Sequence, residues 1–166
     1  LGLLTWIKSL YGNQSNKMWN KLSKKIVTVT KGWSDAYYNI FLTGEADMVL
    51  SYTTSPAAHI MFENDSSFKA DSFKEGNYIT IEVAAKLKNS QHIELANMFL
   101  EFMLTDDFQS FIPSTNIMYP VINLKDGLPD SFSELSMPSK VLQINPTTIM
   151  NKRDEWTQEW LNNYKK

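Results

Sequence analysis

Asp47-Met48-Val49-Leu50-Ser51-Tyr52-Thr53-Thr54-Ser55-Pro56-Ala57 decides how this chain is read. Residues 47–52 are nearly apolar along their centre, a pattern that predicts a strand covered on both faces, as in a parallel sheet. Hydroxyl residues follow, and a helix begins near Pro56 and Ala57. Proline suits a helix's first turn, and Ser or Thr just before it is a capping signal. A strand running through a polar turn into a helix is where open α/β sheets bind ligands, beyond the carboxyl ends of their strands. The first N–H groups of such a helix attract anions such as phosphate, and Thr53, Thr54 and Ser55 could add hydroxyl donors. Ordinary helix capping accounts for the same residues, and the local pattern leaves both readings open.

Upstream, Ile26-Val27-Thr28-Val29-Thr30 is short and β-branched and predicts another strand. Lys31-Gly32 turns into Trp33-Ser34-Asp35, with Ser34 as N-cap of a helix through Leu42 and Gly44 as its stop. In a parallel sheet this turn lies on the same edge as Tyr52–Pro56. A Trp at such a turn stacks on a flat or cationic ligand or anchors the core. Tyr37 and Tyr38 invite a ferric-phenolate reading. They point about 100° apart on a helix, with no His or carboxylate cluster attached, so one buried and one half-exposed tyrosine is the simpler expectation.

Further out, Leu3, Leu4, Ile7 and Leu10 recur at helical spacing up to Gly12, and a second helix covers 16–25. Residues 64–76 read as a loop and Tyr78–Ala85 as a strand of period two. Ser90 caps a helix whose apolar side carries Ile93, Ala96, Met98, Phe99, Phe102 and Met103. A short helix over 107–112 stops at Pro113, and 114–146 reads as mainly loop. A last helix runs from Thr147 or Thr148 to about Tyr164, with Trp156 and Trp160 on one face. The alternation predicts an α/β fold with a mainly parallel sheet flanked by helices.

Composition narrows the function. The chain has 166 residues, 43% hydrophobic and 20% charged, as in a packed domain. Sixteen basic residues oppose eighteen acidic ones, and Arg153 alone is arginine, a poor basis for nucleic-acid binding. There is no cysteine, which excludes disulfides and thiolate sites, and His59 and His92 are too few for a His-rich metal site or a histidine triad. No nucleophile elbow, P-loop or zinc-protease motif occurs. The opening Leu1-Gly2-Leu3-Leu4-Thr5-Trp6 does not resemble a signal peptide and reads like a helix interior, so the expectation is a portion of a longer protein.

Several segments carry a resemblance. They are Lys31 to Tyr37, Gly44 to Ala57, Glu82-Val83-Ala84-Ala85, Phe99 to Met103, Ile112-Pro113, Met118-Tyr119-Pro120-Val121, and the Trp-x-x-x-Trp of Trp156 and Trp160. In order, they resemble the thiamine-binding receptors of bacterial ABC importers, within the type II solute-binding proteins. That resemblance implies two α/β lobes joined by crossing segments, with the ligand held between them. It makes this chain the C-terminal portion. Residues 1–77 would be the second-lobe core, 78–85 a crossing strand, 86–146 a segment packed on the first lobe, and 147–166 a helix returning to the second. The implied ligand residues are Trp33, Tyr52, Thr53, Thr54, Ser55 and Pro56, with Tyr119 as a further contact, and neither metal nor cofactor is implied.

The implied activity is that of a periplasmic receptor, not an enzyme. It would bind thiamine or thiamine phosphates and deliver them to a permease in the inner membrane. A ferric-iron receptor of the same fold is the alternative, and an α/β enzyme is disfavoured for want of a catalytic constellation. The chain departs from the family pattern by one extra residue near Tyr37-Tyr38, by Ala58 in place of an aromatic, and by Ile117 in place of a Trp. Alone, the portion is expected to expose Phe99, Phe102, Phe108 and Phe111 and to self-associate.

Overall fold

The first unit is closed by a buried charge that joins helices far apart in sequence. In the computed structural model, which describes residues 1–164, the chain divides into two compact units. The first comprises residues 1–51, 72–80 and 138–166, and the second 52–71 and 81–137.

In the first unit, α1 (Gly2–Tyr11) buries Thr5 and Ile7 and ends at Gly12. At φ 49°, Gly12 adopts a backbone that glycine tolerates best. A 3₁₀ turn leads into α2 (Ser15–Leu22), whose Trp19 is among the most buried side chains of the protein. Both helices pack on α7 (Pro146–Tyr164), which buries Trp156. Lys8 Nζ donates to Glu159 Oε2 at 2.6 Å, Ser15 Oγ donates to Glu159 Oε1 at 2.6 Å, and Lys8 lies 5.8 Å from the centre of the Trp156 ring. One carboxylate therefore accepts from α1 and α2 at once. Partial burial pushes this carboxyl up, but the hydrogen bonds from Lys8 and Ser15 outweigh it and hold the group below its ordinary value.

The sheet is small. β1 (Asn77–Tyr78) and β2 (Val141–Leu142) pair in parallel, with Asn77 opposite Val141 and Tyr78 opposite Leu142. Gly76 makes the approach possible. At φ 109° its Cα faces β2 so closely that an added Cβ would stand 2.9 Å from Leu142 Cγ, and its carbonyl accepts from the Trp6 indole at 2.9 Å.

The α/β class with parallel pairing matches the expectation, but the strands differ from those expected. Residues 26–30 and 47–52 run without regular secondary structure, and of Tyr78–Ala85 only Tyr78 lies in the ladder. A strand needs a neighbour's N–H and C=O groups as well as its own apolar residues. Among the described residues no segment pairs with these stretches in a ladder. Their apolar side chains stay uncovered, Met48 86% and Val83 87% exposed. The stretch expected to be mainly loop also holds the end of the short helix Ile112–Thr115, a 3₁₀ turn and β2.

The second unit is built on α3 (Ser55–Glu63), α4 (Ile93–Phe102), α5 (Asp106–Gln109) and α6 (Ile112–Thr115). Gln109 is buried and fixes two loops. Its amide donates to Met103 O at 2.7 Å, and its Oε1 accepts from Val121 N at 2.9 Å. α3 packs against the 3₁₀ turn Asp130–Phe132. No helix among the described residues is long and apolar enough to cross a membrane.

Glu159→Gln is expected to cost about 2 kcal/mol at neutral pH, because it leaves the nearly buried Lys8 ammonium without its counter-charge. A lowered carboxyl pKa means the contribution is complete above the unfolded value and is lost as pH falls through the folded one. The gap between native and variant should therefore narrow below about pH 4.5, the group's ordinary value, in urea unfolding at stepped pH.

Candidate functional site

The expected ligand residues fall in both units, Trp33 in the first and Tyr52–Pro56 with Tyr119 in the second.

Trp33 opens a helical turn that does not continue as an α-helix. Residues Asp35–Phe41 form a π-helix, in which hydrogen bonds run from residue i+5 to residue i. Leu42 N–H donates to Tyr37 O at 3.0 Å, and Glu45 N–H donates to Ile40 O at 2.9 Å. Ser34 precedes the segment as its N-cap but makes no side-chain cap bond, and Gly44, at φ 81°, follows it. The Trp33 ring is 39% exposed. It stacks on Tyr37 with centroids 4.7 Å apart and planes 27° apart, and Tyr38 meets it edge-on at 5.7 Å. Its indole N–H donates to Ser51 Oγ at 2.8 Å.

Tyr37 is buried and Tyr38 exposed, the split expected of the pair. Their separation differs from an α-helical one, because the wider turn brings the rings into edge contact at 5.6 Å. Among the described residues no group of three or more His, Asp or Glu side chains is placed to hold a metal ion.

In the second unit, Tyr52 is exposed, Thr53 and Ser55 are half-buried, and Thr54 and Pro56 are buried. Thr54 is the N-cap residue of α3 but makes no side-chain cap bond. Its hydroxyl points instead to Met118 Sδ at 3.9 Å. Two opening amides of the helix are occupied at 3₁₀ spacing, Ser55 N–H by Tyr52 O at 3.1 Å and Ala57 N–H by Thr54 O at 3.0 Å. One turn along, His59 is buried, with Nδ1 2.7 Å from Glu63 Oε2 and its ring stacked on Phe68 at 3.9 Å. That contact binds the following loop to α3.

Tyr119 packs edge-on against Phe132 at 5.4 Å, and its buried hydroxyl has no hydrogen-bond partner among the described residues. Burial pushes that phenol's pKa up. Two residues earlier, Ile117 adopts φ 53°, a left-handed backbone uncommon outside glycine and an outlier for a β-branched side chain. Its neighbours hold it there. Asn116 Nδ2 donates to Glu82 Oε2 at 3.0 Å, and Met118 accepts from Thr54.

Sequence reasoning singled out Trp33 but passed over Ser51 and Tyr37 as its supports, and Met118 as the partner of Thr54. The i, i+4 spacing of Trp33 and Tyr37 was the available signal for the stack. Nothing local marked Ser51 or Met118, since their partners lie 18 and 64 residues away.

The chain is similar to several known proteins. The thiamine-binding periplasmic protein of Escherichia coli strain K12 is 48% identical over 160 residues, which are 96% of this chain and 48% of that protein. The protein of the same name from Brucella abortus is 46% identical over 161 residues, 97% of this chain and 48% of its own length. A solved structure of a periplasmic thiamin binding protein superposes with a TM-score of 0.90 at 47% identity, covering 98% of this chain and 50% of that one. The chain thus spans about half the length of these relatives. Residues 2–110, well over half of the chain, match the family described as bacterial extracellular solute-binding protein. With the α/β fold shared almost throughout and the family pattern running through both Trp33 and the Tyr52–Pro56 turn, the chain belongs to the bacterial extracellular solute-binding proteins.

Proposed function

We propose that the chain forms the C-terminal half of a two-lobed periplasmic receptor that binds thiamine and hands it to an ABC transporter permease in the inner membrane. The observation that carries this reading is the near-half identity, sustained over almost the entire chain, to proteins named for thiamine binding. The two units suit it. Residues 52–71 and 81–137 group apart from the rest, so the chain passes between units several times. In this reading the first unit belongs to one lobe and the second packs on the other. The protein is a binder, not a catalyst.

Recognition would begin at Trp33. Thiamine carries a flat pyrimidine and a cationic thiazolium. An indole face offers stacking area and a quadrupole that attracts the cation, worth about 0.5–2 kcal/mol depending on desolvation. Tyr52 would supply a second aromatic surface and Tyr119 a further contact. The hydroxyls of Thr53 and Ser55 would meet the alcohol or phosphate tail at the start of α3, whose N-terminal dipole favours negative charge. Thr54, buried with its hydroxyl on Met118, would shape the turn and not touch the tail. Phosphate esters would therefore be accepted as well as free thiamine. Closure of the lobes on the ligand would be the signal read by the permease.

The apolar surface of α4 to α6 carries a further proposal. Leu95, Met98, Phe99, Phe102 and Phe111 are all exposed, while Phe108 is partly covered by contacts with Phe99 and Phe102. Separated from a first lobe, such a surface drives association.

Three outcomes are expected. In the full two-lobed receptor, Trp33→Ala should weaken thiamine binding at least tenfold by calorimetric titration, about 1.4 kcal/mol. Unchanged affinity in a folded variant would remove Trp33 from the site. A Thr53→Ala, Ser55→Ala double variant should lose more affinity for thiamine monophosphate than for thiamine, and equal losses would exclude a phosphate role. The 166-residue chain alone should sediment as an oligomer and bind thiamine far more weakly than the whole receptor. A monomer with full affinity would overturn the two-lobe assignment.

A further inference from the structure

We infer that Tyr37, held by the π-helical turn, is a positioning residue that presets the Trp33 indole as a stacking surface. The inference rests on the thiamine-receptor reading above and adds to it a residue that need not touch ligand. Three restraints meet on one partly exposed ring. Tyr37 lies against the indole face at 4.7 Å, Tyr38 meets it edge-on at 5.7 Å, and Ser51 Oγ takes its N–H at 2.8 Å. Exposed tryptophans seldom need such fixing for stability, since burial is what stabilises them.

The backbone explains how two consecutive tyrosines reach the same ring. On an α-helix, at about 100° per residue, position i+4 lies about 40° from position i, and i+5 about 140° away. Tyr38 would then face away from Trp33. In the π-helix a turn takes in one more residue, so i+4 and i+5 fall on either side of i. Tyr37 accordingly stacks, Tyr38 meets Trp33 with its planes 81° apart, and the two tyrosines touch each other at 74°. Tyr37 is 5% exposed and packs on Phe41 at 5.5 Å, so the support itself is anchored.

Fixing the indole before the ligand arrives removes part of the ordering cost of binding. For a rotamer-rich side chain that cost is about 0.5–1.5 kcal/mol, or about two- to tenfold in affinity. The support to the indole comes from the Tyr37 ring.

The test is a double-mutant cycle in the full two-lobed receptor, read by thiamine titration and checked by thermal unfolding. Tyr37→Leu should weaken binding about fivefold, while Tyr37→Phe should stay within about twofold of native. Added to Trp33→Ala, Tyr37→Leu should cost nothing more, because its effect passes through the indole. A loss that multiplies in the double variant would overturn the inference, as would native affinity in folded Tyr37→Leu. If Trp33→Ala itself leaves affinity unchanged, the thiamine reading of this turn fails and the inference falls with it. A loss in Trp33→Ala without one in Tyr37→Leu sinks the inference alone. Ser51→Ala provides a second variant should Tyr37→Leu fail to fold. It removes the indole's hydrogen bond and leaves the residues of the helix unchanged. It should weaken binding about threefold and increase the mobility of Trp33, read by fluorescence anisotropy after the other tryptophans are replaced by phenylalanine. Native affinity with unchanged anisotropy in that variant counts against the inference.

Discussion

A single carboxylate closes the first unit. Glu159 on α7 accepts from Lys8 on α1 and from Ser15 on α2, bonds that span 151 and 144 residues of sequence. None of the three helices could bury its end of this cluster alone. A buried ammonium without an acceptor costs several kcal/mol, as does a buried carboxylate without a donor. The arrangement is therefore most stable with all three partners in place, beside Trp19 and Trp156. The same side of the molecule is continued by the neighbouring asparagines, with Asn163 Nδ2 donating to Asn16 Oδ1. The helical core of the first unit thus joins residues more than a hundred positions apart.

The candidate site shows what local irregularity can do on such a frame. Two backbone departures occur near the expected ligand residues, the π-helix over 35–41 and the left-handed Ile117. Each forgoes regular geometry, and each is pinned by side-chain contacts: the aromatic cluster for the first, Asn116–Glu82 and Thr54–Met118 for the second. Strain of about 1–3 kcal/mol at such positions persists only where the surroundings over-determine it. The position near Tyr37-Tyr38, where the resemblance implies one extra residue, lies inside this widened turn.

Much of this was legible in the sequence where a pattern completes itself locally. Helical periodicity located α1, α4 and α7, Gly12 stood at a helix end, and Pro56 marked the start of α3. Trp33 was legible as a partly exposed aromatic at a turn, because a turn between a strand-like run and a helix is a recognisable place. The strands were not legible in the same way. Ile26–Thr30 and Asp47–Tyr52 have the composition of strands, yet a ladder is a property of two segments, and composition describes only one. The π-helix was hidden for a different reason, since one additional residue leaves the apolar spacing almost unchanged while altering every hydrogen bond. Thr54 does stand at the N-cap of α3, but its hydroxyl goes to a sulfur 64 residues away and not to the helix's own amides.

The wiring of the first unit also bears on how the chain reaches its fold. Its helical core is assembled from the first twenty-two described residues and the last nineteen. Closing so long a loop costs entropy that local contacts cannot repay, and high contact order slows the search. During synthesis, α1 and α2 emerge long before their partner. Until α7 has left the ribosome, Trp19 and Lys8 have nothing to close against. The unit can close only once α7 has been made, as one late event. The segments after Ile93 differ in this respect, since the buried Gln109 reaches six residues back to Met103 and twelve on to Val121 and can act as soon as these exist. Formation of the core around Glu159 is therefore expected to be the slow, chaperone-sensitive step, with the helical segments after Ile93 ordering ahead of it.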